Sequence, residues 1–179
     1  MAFTGHHVVA ADVGEDEARS HLDPEDIAAP FNPAFLAWLG DRLGARVGHI
    51  DVTLARLGSG VGDHWLIPTT EPPDNERVRR AEHLRSDVRF FSSPNDSAVV
   101  TLGVGLAGRL ELSLEVNSEL ERNAGLGRHL VQAAVARIPT DQAVFAGVAP
   151  GNSRSLRCLL HADFVPIGAE CLLSRASPR

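Results

Sequence analysis

Hydrophobic and polar residues follow different periods along the chain, and each period predicts a type of element. Between Pro33 and Leu43 the apolar residues recur at helical spacing and Gly44 follows, which predicts a helix with a glycine C-cap. His49 to Leu57 alternates apolar and polar positions, which predicts a strand. The glycine-rich segment from Gly58 to Gly62 then fits either a mobile lid or a plain connector.

The pattern becomes charged and helical after a short apolar stretch. Trp65 to Ile67 predicts a short strand that Pro68 ends, because proline cannot donate a ladder hydrogen bond. Asp74 is the predicted N-cap of a helix that follows it and runs to about Arg85.

From Asp87 onward the elements are predicted in the order β-β-β-α-β-α-β. The predicted strands are Asp87–Ser92, Ala98–Val104, Leu110–Val116, Ala143–Val148 and Phe164–Ser174, and the predicted helices are Leu126–Ile138 and Ser153–His161. The fourth strand lacks polar alternation, as is typical of a central strand covered on both faces. This order predicts the α+β class, with helices around a mixed sheet.

Composition and charge narrow the functional classes. A net charge of -6 argues against a nucleic-acid-binding protein, because phosphate neutralisation needs a basic face. No apolar run is long enough to cross a bilayer and no signal pattern is present, so we expect a cytoplasmic protein without a membrane partner. Cys158 and Cys171 are expected to be free thiols, and the histidines show no metal-ligand spacing, so no metal is expected.

Residues 1–30 are rich in acidic side chains and contain two proline breakers. We therefore predict an acidic, flexible N-terminal arm over residues 1–30 and one domain over residues 31–179, which is long enough to bury a core.

Two glycine motifs suggest phosphate binding, and their contexts differ. Gly103 to Gly108 spells G-x-G-x-x-G after an apolar strand, but a strictly alternating segment follows it, whereas dinucleotide binding requires a helix to open there. We interpret this first motif as a turn between two strands. The second motif follows a strand and opens a helix, where backbone N–H groups can approach an anion; it comprises Arg122, Asn123, Ala124, Gly125, Leu126, Gly127 and Arg128. An ordinary loop with two helix-starting glycines is the alternative for this motif.

The second motif, R-x-x-G-x-G between a strand and a helix, resembles the acetyl-CoA pyrophosphate loop of the GNAT (GCN5-related N-acetyltransferase) superfamily. Ala143–Val148 resembles the fifth strand of that family. Pro150 to Leu156 resembles the family's Pro-Gly-Asn segment, and His161 to Gly168 resembles the family's C-terminal segment around a Gly-Phe pair. The resemblance covers residues 87–173. It implies a GNAT-like mixed, mostly antiparallel central sheet flanked by helices, and it is consistent with a homodimer.

The resemblance implies an acetyl-CoA-dependent N-acetyltransferase that transfers the acetyl group directly to a primary amine of a small molecule or peptide. Acetyl-CoA would be a co-substrate, with no metal. By the resemblance, Val116 would pair backbone groups with the pantetheine arm, Arg122 to Arg128 would hold the pyrophosphate, and Asn152 would hydrogen-bond the arm, with Ser155 one helical turn later.

Glu111 and Glu115 are the candidate catalytic side chains. Both lie on the polar face of the strand that leads to the second motif. Glu115 is nearer the expected thioester and is the preferred base, while Glu111 could bind the ammonium of the acceptor. The alternative is that both line a solvated face of a half-covered sheet.

The position of the family's usual tyrosine acid is Leu159, and the chain contains no tyrosine. Cys158 and His161 are close in sequence, but a helix turns about 100° per residue, so neither automatically takes the direction of Leu159. His161 is one alternative for the acid, and an ordinary surface histidine of a helix is the other interpretation of it. Solvent is the simpler proton donor to a thiolate. The alternative function is a non-catalytic acyl-CoA-binding or sensory module on the same fold.

Overall fold

The structure is a computed structural model that describes residues 1–117 and 125–175 of the chain. Its contacts divide the chain into two compact units. The first unit comprises Met1–Thr53, Ala149–Gly151 and Ile167–Arg179, and the second comprises Leu54–Val148 and Asn152–Pro166.

The first unit combines two helices with strands at the two ends of the chain. Its elements are β1 (Ala2–Phe3), β2 (His6–His7), α1 (Glu15–Ser20), α2 (Pro33–Leu43), the first part of β3 (Ala45–Leu57) and most of β9 (Val165–Arg175). β1 pairs antiparallel with both β2 and β9. Residues 1–30 therefore contain short elements where the sequence predicts irregular chain, because strands of two residues leave no periodicity to detect. The predicted domain boundary at residue 31 stays a prediction.

The predicted helix from Pro33 to Leu43 is confirmed by α2, including both of its ends. The Asn32 side chain accepts a hydrogen bond from the Ala34 N–H at 3.0 Å, which satisfies one of the first-turn donors. Gly44 ends the helix in the left-handed region at φ 58°, a conformation that glycine adopts without steric cost.

The second unit contains the predicted β-β-β-α-β-α sequence. Its elements are the end of β3, β4 (Ile67–Thr69), α3 (Glu76–Leu84), β5 (Ser86–Ser92), β6 (Ala98–Val104), β7 (Leu110–Val116), α4 (Leu126–Ala136), β8 (Ala143–Val148) and α5 (Ser153–Leu160). The strand order is β3-β8-β7-β6-β5-β4. β4 to β7 pair antiparallel, and β7 pairs parallel with β8. The predicted α+β class, with a mostly antiparallel sheet flanked by helices, is confirmed.

The core of the second unit lies between α4 and the apolar face of its strands. Six of the seven residues of β6 are buried, and α4 buries six of its eleven. The side chains with almost no exposure include Leu54, Leu66, Val99, Val100, Leu102, Leu130, Val131, Val135, Ile138 and Val144. None of the helices that the structure describes has the length and apolarity needed to cross a membrane.

Two predicted boundaries are wrong for local reasons. Pro68 does not end the strand; it lies inside β4, opposite Phe91, and β4 is the last strand in the order, where a proline costs no ladder bond on its outer side. The N-cap of α3 is Asn75 rather than Asp74, because the Asn75 side chain accepts from the Val78 N–H at 2.9 Å.

The segment from Gly58 to Gly62 is a connector that caps the C-terminus of α4. The N–H groups of Ser59, Gly60 and Gly62 donate to the carbonyls of Val135, Ile138 and Ala136, at 2.9–3.1 Å. These bonds satisfy carbonyls that a helix end leaves without partners. The lid interpretation is therefore not supported by the geometry.

The first glycine motif is a turn, as predicted. A short 3₁₀ segment, Leu106–Gly108, joins β6 to β7, and Val104 pairs with Leu110 across the turn. No helix opens at these glycines, so the backbone geometry that a dinucleotide needs is missing from this segment.

Candidate functional site

The parallel strands β7 and β8 separate towards their carboxyl ends. Leu110 pairs with Val144 and Glu111 pairs with Phe145. Both strands continue, to Val116 and to Val148, yet no later pair joins them among the described residues. On its other side β7 stays paired with β6 along its whole length. The second unit therefore has an opening between two neighbouring strands at their carboxyl ends, where ligands of open sheets commonly bind.

α4 begins directly after its N-cap residue, Gly125, and follows β7 in the chain. Gly125 is the N-cap and has φ 79°, in the left-handed region that favours glycine. A glycine has no side chain to cap the first turn, so the N–H groups of Leu126, Gly127 and Arg128 receive no acceptor from it. Of the predicted pyrophosphate loop, the part from Arg122 to Ala124 lies outside the described residues.

The start of α5 is positioned by Asn152. Its Oδ1 accepts a hydrogen bond from the Ser155 N–H at 3.1 Å, so Asn152 is the N-cap of the helix. Both Asn152 and Ser155 thus lie at the first turn of α5, as the sequence predicts. This capping role was not predicted, although an asparagine before a helical run is a known signal for an N-cap.

α4 and α5 contact each other through Gly127 and Cys158. A Cβ atom added to Gly127 would lie 3.2 Å from the Cys158 Sγ, closer than ordinary van der Waals contact. Gly127 therefore permits a close approach of the two helices. Desolvation raises the pKa of the Cys158 thiol, and the nearby Arg128 opposes that shift to a smaller extent.

Glu111 lies between two arginines. Its Oε2 accepts from the Arg85 Nε at 2.9 Å, and its Oε1 accepts from the Arg109 Nε at 2.7 Å. The side chains of Glu111, Arg85 and Arg109 are only 15%, 13% and 13% exposed. Because each carboxylate oxygen already holds a guanidinium, this geometry disfavours Glu111 as a base or as the binder of an ammonium group.

Arg85 extends this cluster across the sheet. Its Nη1 donates to the Thr101 and Ser113 hydroxyl oxygens, both at 3.1 Å, and those two oxygens are 2.6 Å apart. Burial lowers the pKa of Arg85, with Glu111 acting in the opposite direction. Arg85 was not predicted as a site residue; the one sequence signal for it is the polar Thr101 inside the otherwise apolar strand β6. The polar face of β7 is covered here by arginines, and the interpretation of a solvated face is not supported at Glu111.

Glu115 lies further along the same face of β7, nearer its carboxyl end. Its Oε2 is 3.6 Å from the Arg77 Nε, and its side chain is about one-third exposed. Val116 follows it, is buried, and pairs with Ala98. The structure therefore places Glu115 and Val116 beside the opening between β7 and β8, and Glu111 at the closed end.

The position expected for an acid carries no proton donor. Leu159 is 5% exposed and belongs to the core of the second unit. His161 is exposed at the other end of α5 from Asn152, and its Nδ1 lies 2.7 Å from the Arg157 carbonyl oxygen of the same helix. His161 therefore belongs to the C-terminal end of α5, and this contact does not support it as an acid at the opening.

Among the residues that the structure describes, no cluster of three or more His, Cys, Asp or Glu side chains is arranged to hold a metal ion.

No protein-family model matches the chain, and no curated protein matches it. It is similar to a solved structure from Novosphingobium aromaticivorans that is named as belonging to the GNAT family of acetyltransferases. The identity is 16%, the TM-score is 0.49, and the match covers 75% of this chain and 69% of that one.

Proposed function

We propose that the chain is an acetyl-CoA-dependent N-acetyltransferase that transfers an acetyl group directly to a primary amine. The observation that carries the proposal is the opening between β7 and β8, which lies at the same ends of the strands as the N-termini of α4 and α5. A phosphate-bearing molecule with an extended amide-containing arm fits such an arrangement, because helix N-termini bind anions and open strand edges bind amides.

The edge of β7 supports binding of the pantetheine arm. From Leu112 to Leu114 this edge is not paired with β8, so its peptide groups can form ladder-like hydrogen bonds with the amides of the arm. Asn152 uses Oδ1 for its own helix, which leaves its amide nitrogen as a hydrogen-bond donor to the arm.

The first turn of α4 supports binding of the pyrophosphate. Its N–H groups and the helix dipole both favour a negative group, and Arg128 adds a full positive charge in this turn. Gly125 and Gly127 carry no Cβ, so a phosphate can approach the backbone closely. The predicted contacts of Arg122, Asn123 and Ala124 stay predictions from the sequence.

Acetyl-CoA would supply an activated thioester whose C–S bond breaks as the amine nitrogen forms the new amide bond. Glu115 would take a proton from the acceptor's ammonium, directly or through a water molecule, and the neutral amine would then attack the thioester carbonyl. A general base of this kind contributes about 10²–10⁴-fold to the rate. Backbone N–H groups of β7 would stabilise the developing oxyanion, and solvent would protonate the leaving thiolate, since Leu159 has no proton to donate.

Isothermal titration with acetyl-CoA, followed by an assay of CoA release with a panel of amines, tests this function. We expect one binding site, weaker binding in Arg128→Ala, and unchanged binding in the control Arg80→Ala, which removes the same charge from α3. Loss of CoA release in Glu115→Gln, with acetyl-CoA affinity retained, would support the role of Glu115. Acetyl-CoA binding without CoA release from any amine would rule out the enzymatic function.

A non-catalytic acyl-CoA-binding module is the second candidate, and the buried Leu159 in a chain without tyrosine favours it. It predicts that acetyl-CoA raises the melting temperature of both the wild type and Glu115→Gln, while neither releases CoA. Any acetylation rate that Glu115→Gln abolishes would exclude this candidate.

A further inference from the structure

Glu115 and Arg77 bring opposite charges together beside the opening between β7 and β8. The Arg77 Nε lies 3.6 Å from the Glu115 Oε2, and the two side chains are 38% and 34% exposed. This distance is too long for a hydrogen bond, and the Arg77 side chain donates none to any residue that the structure describes. The pair therefore presents a guanidinium and a carboxylate side by side to a ligand.

The first turn of α3 adds hydrogen-bond donors beside Arg77. Arg77 is the second residue of α3, and the Oδ1 of the N-cap residue Asn75 accepts from the Val78 N–H. The Asn75 Nδ2 is buried and has no hydrogen-bond partner within residues 1–117 and 125–175, although a buried donor normally has an acceptor. Glu76 in the same turn is exposed and forms no ion pair with a described residue. Because helix N-termini favour negative groups, this turn can hold an anion beside Arg77.

The contacts on the polar face of β7 contain more positive than negative charge. Arg85 and Arg109 share the single carboxylate of Glu111, while Arg77 lies beside Glu115. Burial lowers the pKa of Arg85 and Glu111 raises it, whereas the positive charge of Arg77 lowers it further. Three guanidinium groups thus meet two carboxylates in these contacts, although the net charge of the chain is -6. An anionic group of a ligand would balance this local excess.

The spacing of the Arg77–Glu115 pair suits the two charges of an α-amino acid. Standard bond lengths and angles place the nitrogen and the carboxyl carbon of such a molecule about 2.5 Å apart. Its ammonium can therefore lie against Glu115 while its carboxylate lies against Arg77, since the facing charges are 3.6 Å apart. An amino acid whose two charges are separated by a longer chain would match this pair less well.

From these observations we propose that the acceptor of the acetyl group is an α-amino acid with a free carboxylate. Arg77 and the first turn of α3 would hold the carboxylate, and Glu115 would hold the ammonium before taking its proton. The products would be an N-acetylamino acid and CoA. Of the three ammonium hydrogens, one stays on the new amide, one ends on the CoA thiol and one is released to solvent. The inference rests on the proposed function for the transfer step, whereas amino acid binding beside α3 stands independently of it.

Amino acids compared with their α-amides test the role of the carboxylate. The set contains glycine, leucine, phenylalanine and 2-aminobutyrate, each beside its α-amide, and 4-aminobutyrate as the isomer with separated charges. Isothermal titration at low salt, with and without saturating CoA, should show tighter binding of the acid than of its amide for at least one side chain. The expected difference is about two- to fivefold, as for a partly exposed ion pair. We expect 2-aminobutyrate to bind more tightly than 4-aminobutyrate.

Variants of two arginines on α3 separate a specific contact from a general effect of charge. Arg77→Gln should abolish the preference for the acid over the amide, and Arg77→Lys, which keeps the charge, should retain part of it. In the assay of CoA release, Arg77→Gln should raise KM for the amino acid and leave KM for the amide unchanged. Arg79→Gln is the matched control, because it removes the same charge from α3 but Arg79 pairs with Asp74. It should leave both ligands unaffected.

The outcomes distinguish the acceptor from the transfer reaction. Equal affinity for every acid and its amide, or binding of neither, would overturn the acceptor assignment. Equal losses in Arg77→Gln and Arg79→Gln would overturn it as well. Binding of an amino acid that depends on Arg77, but without CoA release from acetyl-CoA, would support the acceptor site and overturn the transferase function. CoA release from amines at rates that do not depend on an α-carboxylate would support the transferase function and overturn the amino acid acceptor.

Discussion

Replacing Glu111 by glutamine removes the negative charge between Arg85 and Arg109 while keeping the size of the side chain. The three side chains of this cluster are 13–15% exposed, so the two guanidinium groups would stay nearly buried without a counter-charge. The new amide nitrogen would also face one of the two arginines as a second donor. Removing one partner of a buried ion pair typically costs about 3–5 kcal/mol of folding free energy.

A change of this size is measurable in two ways. For a chain of 179 residues, each kcal/mol shifts the melting temperature by about 2–4 °C, so Glu111→Gln should melt on the order of 10 °C lower than the wild type. The midpoint of urea unfolding should fall in parallel. Glu115→Gln on the same strand is the matched control, because its side chain is one-third exposed and its arginine partner is 3.6 Å away. That substitution should change the free energy of unfolding by about 1 kcal/mol or less.

The two variants therefore separate a structural glutamate from a catalytic one. Glu111→Gln should lose stability, and Glu115→Gln should lose acetyl transfer while its stability is kept. If Glu111→Gln kept the melting temperature of the wild type and lost CoA release, the structural assignment of Glu111 would be refuted. Glu111 would then return as the candidate base.

Three further predictions concern the N-cap of α3, the connector at the C-terminus of α4 and the Cys158 thiol on α5. Asn75→Ala should lower the free energy of unfolding by about 0.5–2 kcal/mol in urea titrations, because it removes the N-cap of α3, while Asp74→Ala should change it little. Gly58→Ala should lower the melting temperature by several degrees in calorimetry, since its Cβ would collide with the backbone carbonyl oxygens of Ile138 and Pro139; an unchanged melting temperature would contradict this. In a Cys171→Ser background, iodoacetamide should modify Cys158 more slowly in the folded chain than in urea, because burial raises the pKa of its thiol; equal rates, followed by mass spectrometry, would contradict this.

The sequence predicted the elements whose signals are local. The strands Ala98–Val104, Leu110–Val116 and Ala143–Val148 match the structure residue for residue, because each is bounded by turn residues and has a clear apolar pattern. The C-terminal end of α2 was predicted from Gly44, and Asn32, which the structure shows as its N-cap, acts equally locally.

The environment of Glu111 could not be predicted in this way. The alternation in β7 shows only that Glu111 and Glu115 share a face; it does not show that arginines cover one of them. Their difference comes from Arg85, which lies 26 residues from Glu111 along the chain and reaches it across the sheet. Such a pairing depends on strand register and on where the helix before β5 ends, and neither is encoded by a local pattern.

The opening between β7 and β8 could not be predicted from the sequence either. The order of elements implies a parallel neighbour for β7, but where two parallel strands stop pairing depends on the packing of the surrounding helices.

A crystal structure of the protein with acetyl-CoA tests the central claim most directly. We predict that the pantetheine arm lies between β7 and β8 beyond the Glu111–Phe145 pair, with the pyrophosphate at the first turn of α4 and the thioester beside Glu115. Acetyl-CoA bound anywhere else on the chain, or no binding at saturating concentration, would contradict the account.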